Sequence, residues 1–120
     1  MLKYTNEEVE SALSVIDSTI VNCEKFQFKF EEGTSQHSLL RNRIKALYIS
    51  KALIIDKNIS DIYTKEDVVE ALKPIISIIS KCEKANKKFQ VGTVNYIKFK
   101  KIIDAMYIAK SSIIHEISVR

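Results

Sequence analysis

Apolar residues recur every three or four positions along most of the chain, which is the spacing of one buried face of an α-helix. Two such stripes lie in the first half of the sequence, and two similar ones lie in the second half. The pattern therefore predicts four amphipathic helices of about 20 residues each. The stripes comprise Val9, Ala12, Leu13, Ile16, Ile20 and Cys23; Leu40, Ile44, Leu47, Tyr48, Ile54 and Ile55; Val68, Ala71, Leu72, Ile75, Ile79 and Cys82; and Phe99, Ile103, Met106, Tyr107, Ile113 and Ile114.

The chain contains an internal duplication. Shifted by 59 residues, 4–55 aligns with 63–114 without a gap, and 23 of the 52 aligned positions are identical. Chance would give roughly three or four identities. Two copies are too few for a solenoid, so the copies should pack against each other. We predict one all-α domain over residues 1–120, an antiparallel four-helix bundle of two tandem helical hairpins related by a pseudo-twofold axis.

The predicted helix boundaries also occur twice. In "YTNEEV" and "YTKEDV", Thr5 and Thr64 are expected N-caps, and an acid three residues later completes a capping box. Each hairpin is expected to bend at a glycine and to continue from a capping threonine, in the pairs Gly33-Thr34 and Gly92-Thr93. Pro74 lies inside the third helix, where it should cause a kink; a tolerated bend is favoured over a functional hinge.

Two cysteines and one histidine have the side-chain types that bind zinc. Cys23 and Cys82 lie on equivalent stripes, and His37 begins the neighbouring helix at a similar level. The close ligand spacing of zinc modules is absent, and Tyr96 replaces His37 in the second copy. Small buried cysteines commonly fill cores, so we favour reduced thiols in the core and expect no metal and no cofactor.

Lys51 and Lys110 occupy a core phase of their helices in both copies. We expect the stem of Lys51 to pack over Ala12 and its ammonium to reach Glu8. Lys110 should use Ala71 and Asp67 in the same way. This structural ion pairing is favoured over a catalytic lysine, which would need a pocket and an acceptor.

No group of residues in the sequence indicates catalysis. The two glycines lie in the Gly-Thr bends, so there is no phosphate-binding loop, and no catalytic residue is assigned. No apolar run approaches the ~18 to 20 residues that span a bilayer, and the first residues lack the apolar core of a signal peptide. We therefore expect a cytoplasmic protein that is not an enzyme and has no membrane partner.

Charge is distributed unevenly. The bend end, defined as residues 23–45 and 81–101, carries twelve basic and four acidic residues, a formal charge of +8, so the remainder carries −4 of the total +4. The helix dipole disfavours cations near the start of a helix, so the presence of basic residues at such positions needs another explanation. These candidates for binding a polyanion or a partner are Arg41, Arg43, Lys98, Lys100 and Lys101. A solvated lysine-rich surface remains the alternative.

The segment "FEEGTSQHSLLRNRIKALYISKALI", residues 30–54, resembles a small all-helical family of low-GC Gram-positive bacteria. Its most specific part is Gly33-Thr-Ser-Gln-His37, and the resemblance covers the whole chain. That family has no established activity, so the resemblance implies a fold and no reaction. Four-helix bacteriocin-immunity proteins are similar in size, charge and architecture only.

Three functions remain open from the sequence. The first is a non-enzymatic interaction or regulatory module that binds a protein partner, including a second copy of itself. The second is a binder of nucleic acid or another polyanion through the basic end. The third is a small enzyme or metal protein, and a bacteriocin-immunity-like role is a further alternative to the first.

Overall fold

The computed structural model describes residues 4–120 and contains four α-helices and no β-strand in that range. Residues 1–3 of the predicted domain lie outside the described range. The prediction of an all-α fold with four helices is therefore confirmed. The helices are α1 (Asn6–Gln27), α2 (Ser35–Ile54), α3 (Lys65–Asn86) and α4 (Val94–Val119).

Each helix begins at a threonine that satisfies free backbone donors. The Thr5 hydroxyl accepts a hydrogen bond from the Glu8 amide at 3.1 Å, and the Glu8 carboxylate accepts one from the Thr5 amide at 3.0 Å. Thr64 and Asp67 repeat this reciprocal capping box at 3.1 and 3.0 Å. α2 and α4 begin in a simpler way, with the hydroxyls of Thr34 and Thr93 accepting from backbone amides.

The two bends have the same build. Gly33 and Gly92 have φ values of 87° and 90°, in the left-handed region where a side chain is strained. The threonine that follows each glycine also donates its hydroxyl proton to a carbonyl three residues earlier, at 2.7 Å in the first bend and 2.8 Å in the second. Local backbone chemistry therefore sets the geometry of both bends.

α2 and α4 form the inner pair of the bundle. Each of them packs against the other three helices, whereas no Cα atom of α1 lies within 8 Å of a Cα atom of α3. The largest fully buried side chains come from all four helices and from Ile59 in the connection between α2 and α3. They include Ile16, Leu47, Ile49, Ile75, Met106 and Ile113.

The predicted stripes of α2 and α4 were partly wrong. Tyr48, Ile55, Tyr107 and Ile114 were expected in the core, but each is more than two-fifths exposed. Ile49 and Ile108, which the prediction left out, are buried instead. Since α2 and α4 contact three helices each, their buried arc is broader than the stripe of a helix with two neighbours, and its centre is displaced.

Candidate functional site

Groove A lies between α2 and α3 and has a volume of about 460 Å³. Ala46 and Ala71 line it and are buried, so small side chains leave the space between the two helices. The Lys45 ammonium donates to Oδ1 of Asp67 at 2.8 Å, which joins α2 to α3 at this groove. Groove A is therefore bridged by an ion pair between its walls.

Groove B lies between α1 and α4 and has a volume of about 590 Å³. Seven of its lining residues occupy positions equivalent to lining residues of groove A when the sequence is shifted by 59 positions. The alanines and the isoleucine are the same in both grooves, and the polar residues differ. The corresponding pairs are Asn42 and Lys101, Lys45 and Asp104, Ala46 and Ala105, Ile49 and Ile108, Asp67 and Glu8, Glu70 and Ser11, and Ala71 and Ala12.

The walls of groove B carry two acids where groove A has its ion pair. Asp104 stands in place of Lys45, and Glu8 in place of Asp67. Lys100, on the same helix, donates to Asp104 at 3.4 Å, and Glu8 accepts from its own N-cap. Within residues 4–120, no ion pair joins the walls of groove B. Two basic and two acidic residues line groove A, whereas one basic residue and three acids line groove B.

The hydrogen bonds at the two grooves have electrostatic consequences. The hydrogen bond from Lys45 lowers the pKa of Asp67, and the backbone amide of Thr64 adds to the effect. Near groove B, the Tyr107 hydroxyl donates to Glu83 at 3.3 Å, and the charge of Glu83 raises the pKa of Tyr107. The Tyr4 hydroxyl, also in the lining, bonds with the Ser111 hydroxyl at 3.1 Å.

Neither groove was predicted from the sequence. Glu8 and Asp67 were expected only as capping residues and as partners of Lys51 and Lys110, and no role was expected for Asp104. A signal was present, because Lys45 and Asp104 are a charge reversal at equivalent positions of two otherwise similar repeats.

The five basic candidates differ in exposure and in the contacts they make. Arg41 and Lys98 are exposed, Lys100 pairs with Asp104, and Lys101 lines groove B. Arg43 is half-buried, and its Nε and Nη2 atoms are buried without a hydrogen-bond partner. Its equivalent in the second copy is Ile102. Arg43 is thus partly buried, whereas the other four are exposed.

The two cysteines are free, buried thiols. Burial raises the pKa of both Cys23 and Cys82, and the charge of Arg43 opposes this shift at each of them. A disulfide needs Cα atoms within about 7 Å. Since α1 and α3 do not approach within 8 Å, these thiols cannot pair without backbone movement. Among residues 4–120, no three His, Cys, Asp or Glu side chains are grouped to hold a metal ion, and Nδ1 of His37 is buried without a partner.

The expected partners of the two repeated lysines were wrong. Lys51 pairs with Asp17 at 2.7 Å, and this hydrogen bond raises the pKa of Lys51. Helical side chains lean toward the start of their helix, so the Lys51 ammonium reaches toward the first bend, to which Asp17 is closer than Glu8. Lys110 instead lies 5.7 Å from the ring centroid of Tyr107, because the residue equivalent to Asp17 is Ile76 and Asp67 pairs with Lys45.

The second bend, residues 87–93, lies in a long stretch without acids. Residues 84–103 contain six basic residues and no aspartate or glutamate. Val91 and Val94 are 81% and 83% exposed, whereas the rings of Phe89 and Phe99 stack with centroids 5.8 Å apart. This bend therefore presents exposed aliphatic side chains among cations.

No family model, curated protein or solved structure matches the chain. In residues 4–120, no helix combines the length and the apolar character needed to cross a membrane. The candidate sites are therefore taken from the structure of this chain itself, and they are groove A, groove B and the second bend.

Proposed function

We propose that the protein is a non-enzymatic cytoplasmic interaction module that binds a protein partner in groove B. The observation that supports this proposal is that two grooves with similar linings differ in the charges of their walls. Groove A and groove B share their alanines and isoleucine, but among residues 4–120 only groove A has an ion pair between its walls. Groove B is left open and carries acids on both walls.

The partner supplies the missing cation. A lysine or arginine placed between Glu8 and Asp104 would restore across the interface the pairing that Lys45 and Asp67 make within the chain. Ala12 and Ala105 leave space beside it for an apolar side chain of the partner. The ligand class is therefore a segment with a basic residue next to an apolar one, as in helix-in-groove recognition.

The architecture that supports this function is an antiparallel bundle of two hairpins, 4–55 and 63–114, related by a pseudo-twofold axis. Three kinds of observation favour it at the same 59-residue offset: the caps, the bends and the groove linings. A duplicated hairpin places one inter-hairpin groove on each side, so a change in one copy can free one groove while the other stays bridged.

A photoreactive phenylalanine analogue tests the proposal in cells that produce the protein. Placed at Ser11 in groove B, it should give a discrete protein adduct, whereas at the equivalent Glu70 in groove A it should not. Asp104→Lys should abolish the adduct by filling groove B with an internal cation, and Lys45→Asp should leave it unchanged. Equal adducts from both grooves, or an adduct that survives Asp104→Lys, would overturn the proposal.

Mass spectrometry of the adduct also tests for self-association. A second copy of this chain offers a basic bend end, with a formal charge of +8, as the cationic segment. If the adduct is the chain itself, light scattering after size exclusion should show an oligomer that dissociates in Asp104→Lys.

A second candidate function is contact with a polyanion through the acid-free stretch 84–103. Binding must then weaken steeply with salt, because neutralised phosphates release condensed counterions. The substitution set Lys87→Glu, Lys88→Glu and Lys98→Glu tests it best, since Lys100 and Lys101 are engaged at Asp104 and groove B. Fluorescence anisotropy with labelled single- and double-stranded oligonucleotides at low and physiological salt measures binding to nucleic acid.

A further inference from the structure

The two bends adopt the same turn with different residues. Both have a left-handed glycine and a threonine that caps the next helix. At the positions of Val91 and Val94, the first bend has Glu32 and Ser35. Since polar residues build the same turn, the backbone does not require valines at these positions.

The valines make little contact with the rest of the protein. Val91 and Val94 are more than four-fifths exposed, and Ile97, one turn further along α4, is 46% exposed. Lys87, Lys88 and Lys98 are exposed around them, and none of the three forms a salt bridge with another residue of the described range 4–120. The second bend therefore combines unpaired cations with aliphatic side chains that contact water.

This combination favours a lipid surface over a nucleic acid. Single-stranded nucleic acids are held by aromatic side chains on which bases stack. At this bend Phe89 is stacked on Phe99, and Tyr96 is half-buried, so the bend offers mainly aliphatic side chains. An anionic bilayer has phosphates for the lysines and an apolar layer beneath them for the valines.

We propose that the second bend docks on an anionic lipid surface, with Val91 and Val94 entering the headgroup boundary and the surrounding lysines contacting lipid phosphates. The proposal rests on the second candidate function, contact with a polyanion, and names its source. The contact is peripheral and needs no membrane-spanning helix, so it revises the expectation of no membrane partner.

Tryptophan fluorescence tests the insertion directly, because the chain has no native tryptophan. Val91→Trp is mixed with vesicles of phosphatidylcholine alone or of phosphatidylcholine with phosphatidylglycerol. The emission should shift to shorter wavelength only with the anionic vesicles, and less at high salt because charge attraction is screened. Glu32→Trp, at the equivalent position of the first bend, is the matched control and should not shift.

Co-sedimentation with the same vesicles tests the residues in the natural chain. The double substitution Val91→Glu and Val94→Ser gives the second bend the residues of the first, so the helical circular dichroism should remain unchanged. Vesicle binding should fall at least about tenfold, and Lys88→Glu should reduce it about fivefold or more, as expected for a lysine near an anionic surface.

The outcomes separate the lipid proposal from the function on which it rests. If oligonucleotides bind and anionic vesicles neither bind nor shift the emission, the polyanion function stands and the lipid proposal is overturned. If neither ligand binds at low salt, both are overturned. An equal shift in Val91→Trp and Glu32→Trp would also contradict the lipid proposal, because it would show no preference for the second bend.

Discussion

Groove A and groove B have the same alanines and the same isoleucine, yet in the described part of the chain, residues 4–120, an ion pair joins the walls of groove A and none joins those of groove B. The common residues are small or buried, and they determine how closely the helices approach. The differing residues lie on the walls, where Lys45 faces Asp67 in groove A and two acids occupy the equivalent positions in groove B.

This difference shows that the same helix faces have two roles, one in packing the helices together and one in placing charges on the groove walls. Helix spacing depends on packing at the alanines and isoleucines, which are the same in both grooves. The ion pair depends on the side chains of Lys45 and Asp67, which are 51% and 29% exposed, and replacement of such a partly solvated pair costs little stability. A wall residue can therefore differ in charge between the two grooves while the helices keep the same packing residues.

The largest expected effect comes from the shared lining of the grooves. Ile49→Ala and Ile108→Ala each remove a buried side chain, at 0% and 5% exposure, and should each lower the free energy of unfolding by about 2–5 kcal/mol. Chemical denaturation measures both. If the grooves are equivalent in packing, the two losses should be similar; losses at opposite ends of this range would contradict the comparison.

A smaller effect is expected from exchanging the wall charges. Lys45→Asp should lower stability, because it breaks the pair with Asp67 and places two carboxylates together. Asp104→Lys gains a pair with Glu8 but loses the pair with Lys100 and brings like charges together on α4, so stability should change by no more than a few tenths of a kcal/mol. The double variant, which moves the bridge from groove A to groove B, should therefore be about as stable as Lys45→Asp alone. A double variant much less stable than Lys45→Asp would show that the walls are not equivalent.

The free energy of unfolding should depend on pH in part through the ionisation of Asp67. Its pKa is lowered in the folded state, so its contribution to stability is full above the pKa of the unfolded chain and is lost as the pH falls through the lower folded pKa. Carboxyl chemical shifts in an NMR titration should show the lowered pKa. In Lys45→Met the pKa of Asp67 should rise toward its ordinary value; an unchanged pKa would mean that the ion pair is not its main cause.

The smallest effect is expected at the repeated lysines. Lys51→Met removes an exposed pair with Asp17, and Lys110→Met removes a contact with the Tyr107 ring, so both should be tolerated. Thermal or chemical denaturation of the two variants is the measurement. A large loss in one variant with an intact fold would identify a partner for that lysine beyond the ones described.

The sequence by itself determined the features that depend on neighbours along the chain. The capping boxes, the glycine bends and the number of helices follow from contacts within a few residues. The capping boxes and the glycine bends also occur at equivalent positions in both halves of the chain. The sequence also contained a signal of the grooves, since Ala46 and Ala105 are equivalent, and so are Lys45 and Asp104, which have opposite charges.

The tertiary structure alone decided which side chains meet. Lys51 forms an ion pair with Asp17 instead of Glu8. Lys45 forms an ion pair with Asp67, which was expected to pair with Lys110. Tyr48 is exposed, whereas Ile49 is buried. Each outcome depends on the offset between neighbouring helices and on how many helices each one touches. Periodicity along a single helix carries no information about either quantity, because it defines a face and not what lies opposite it.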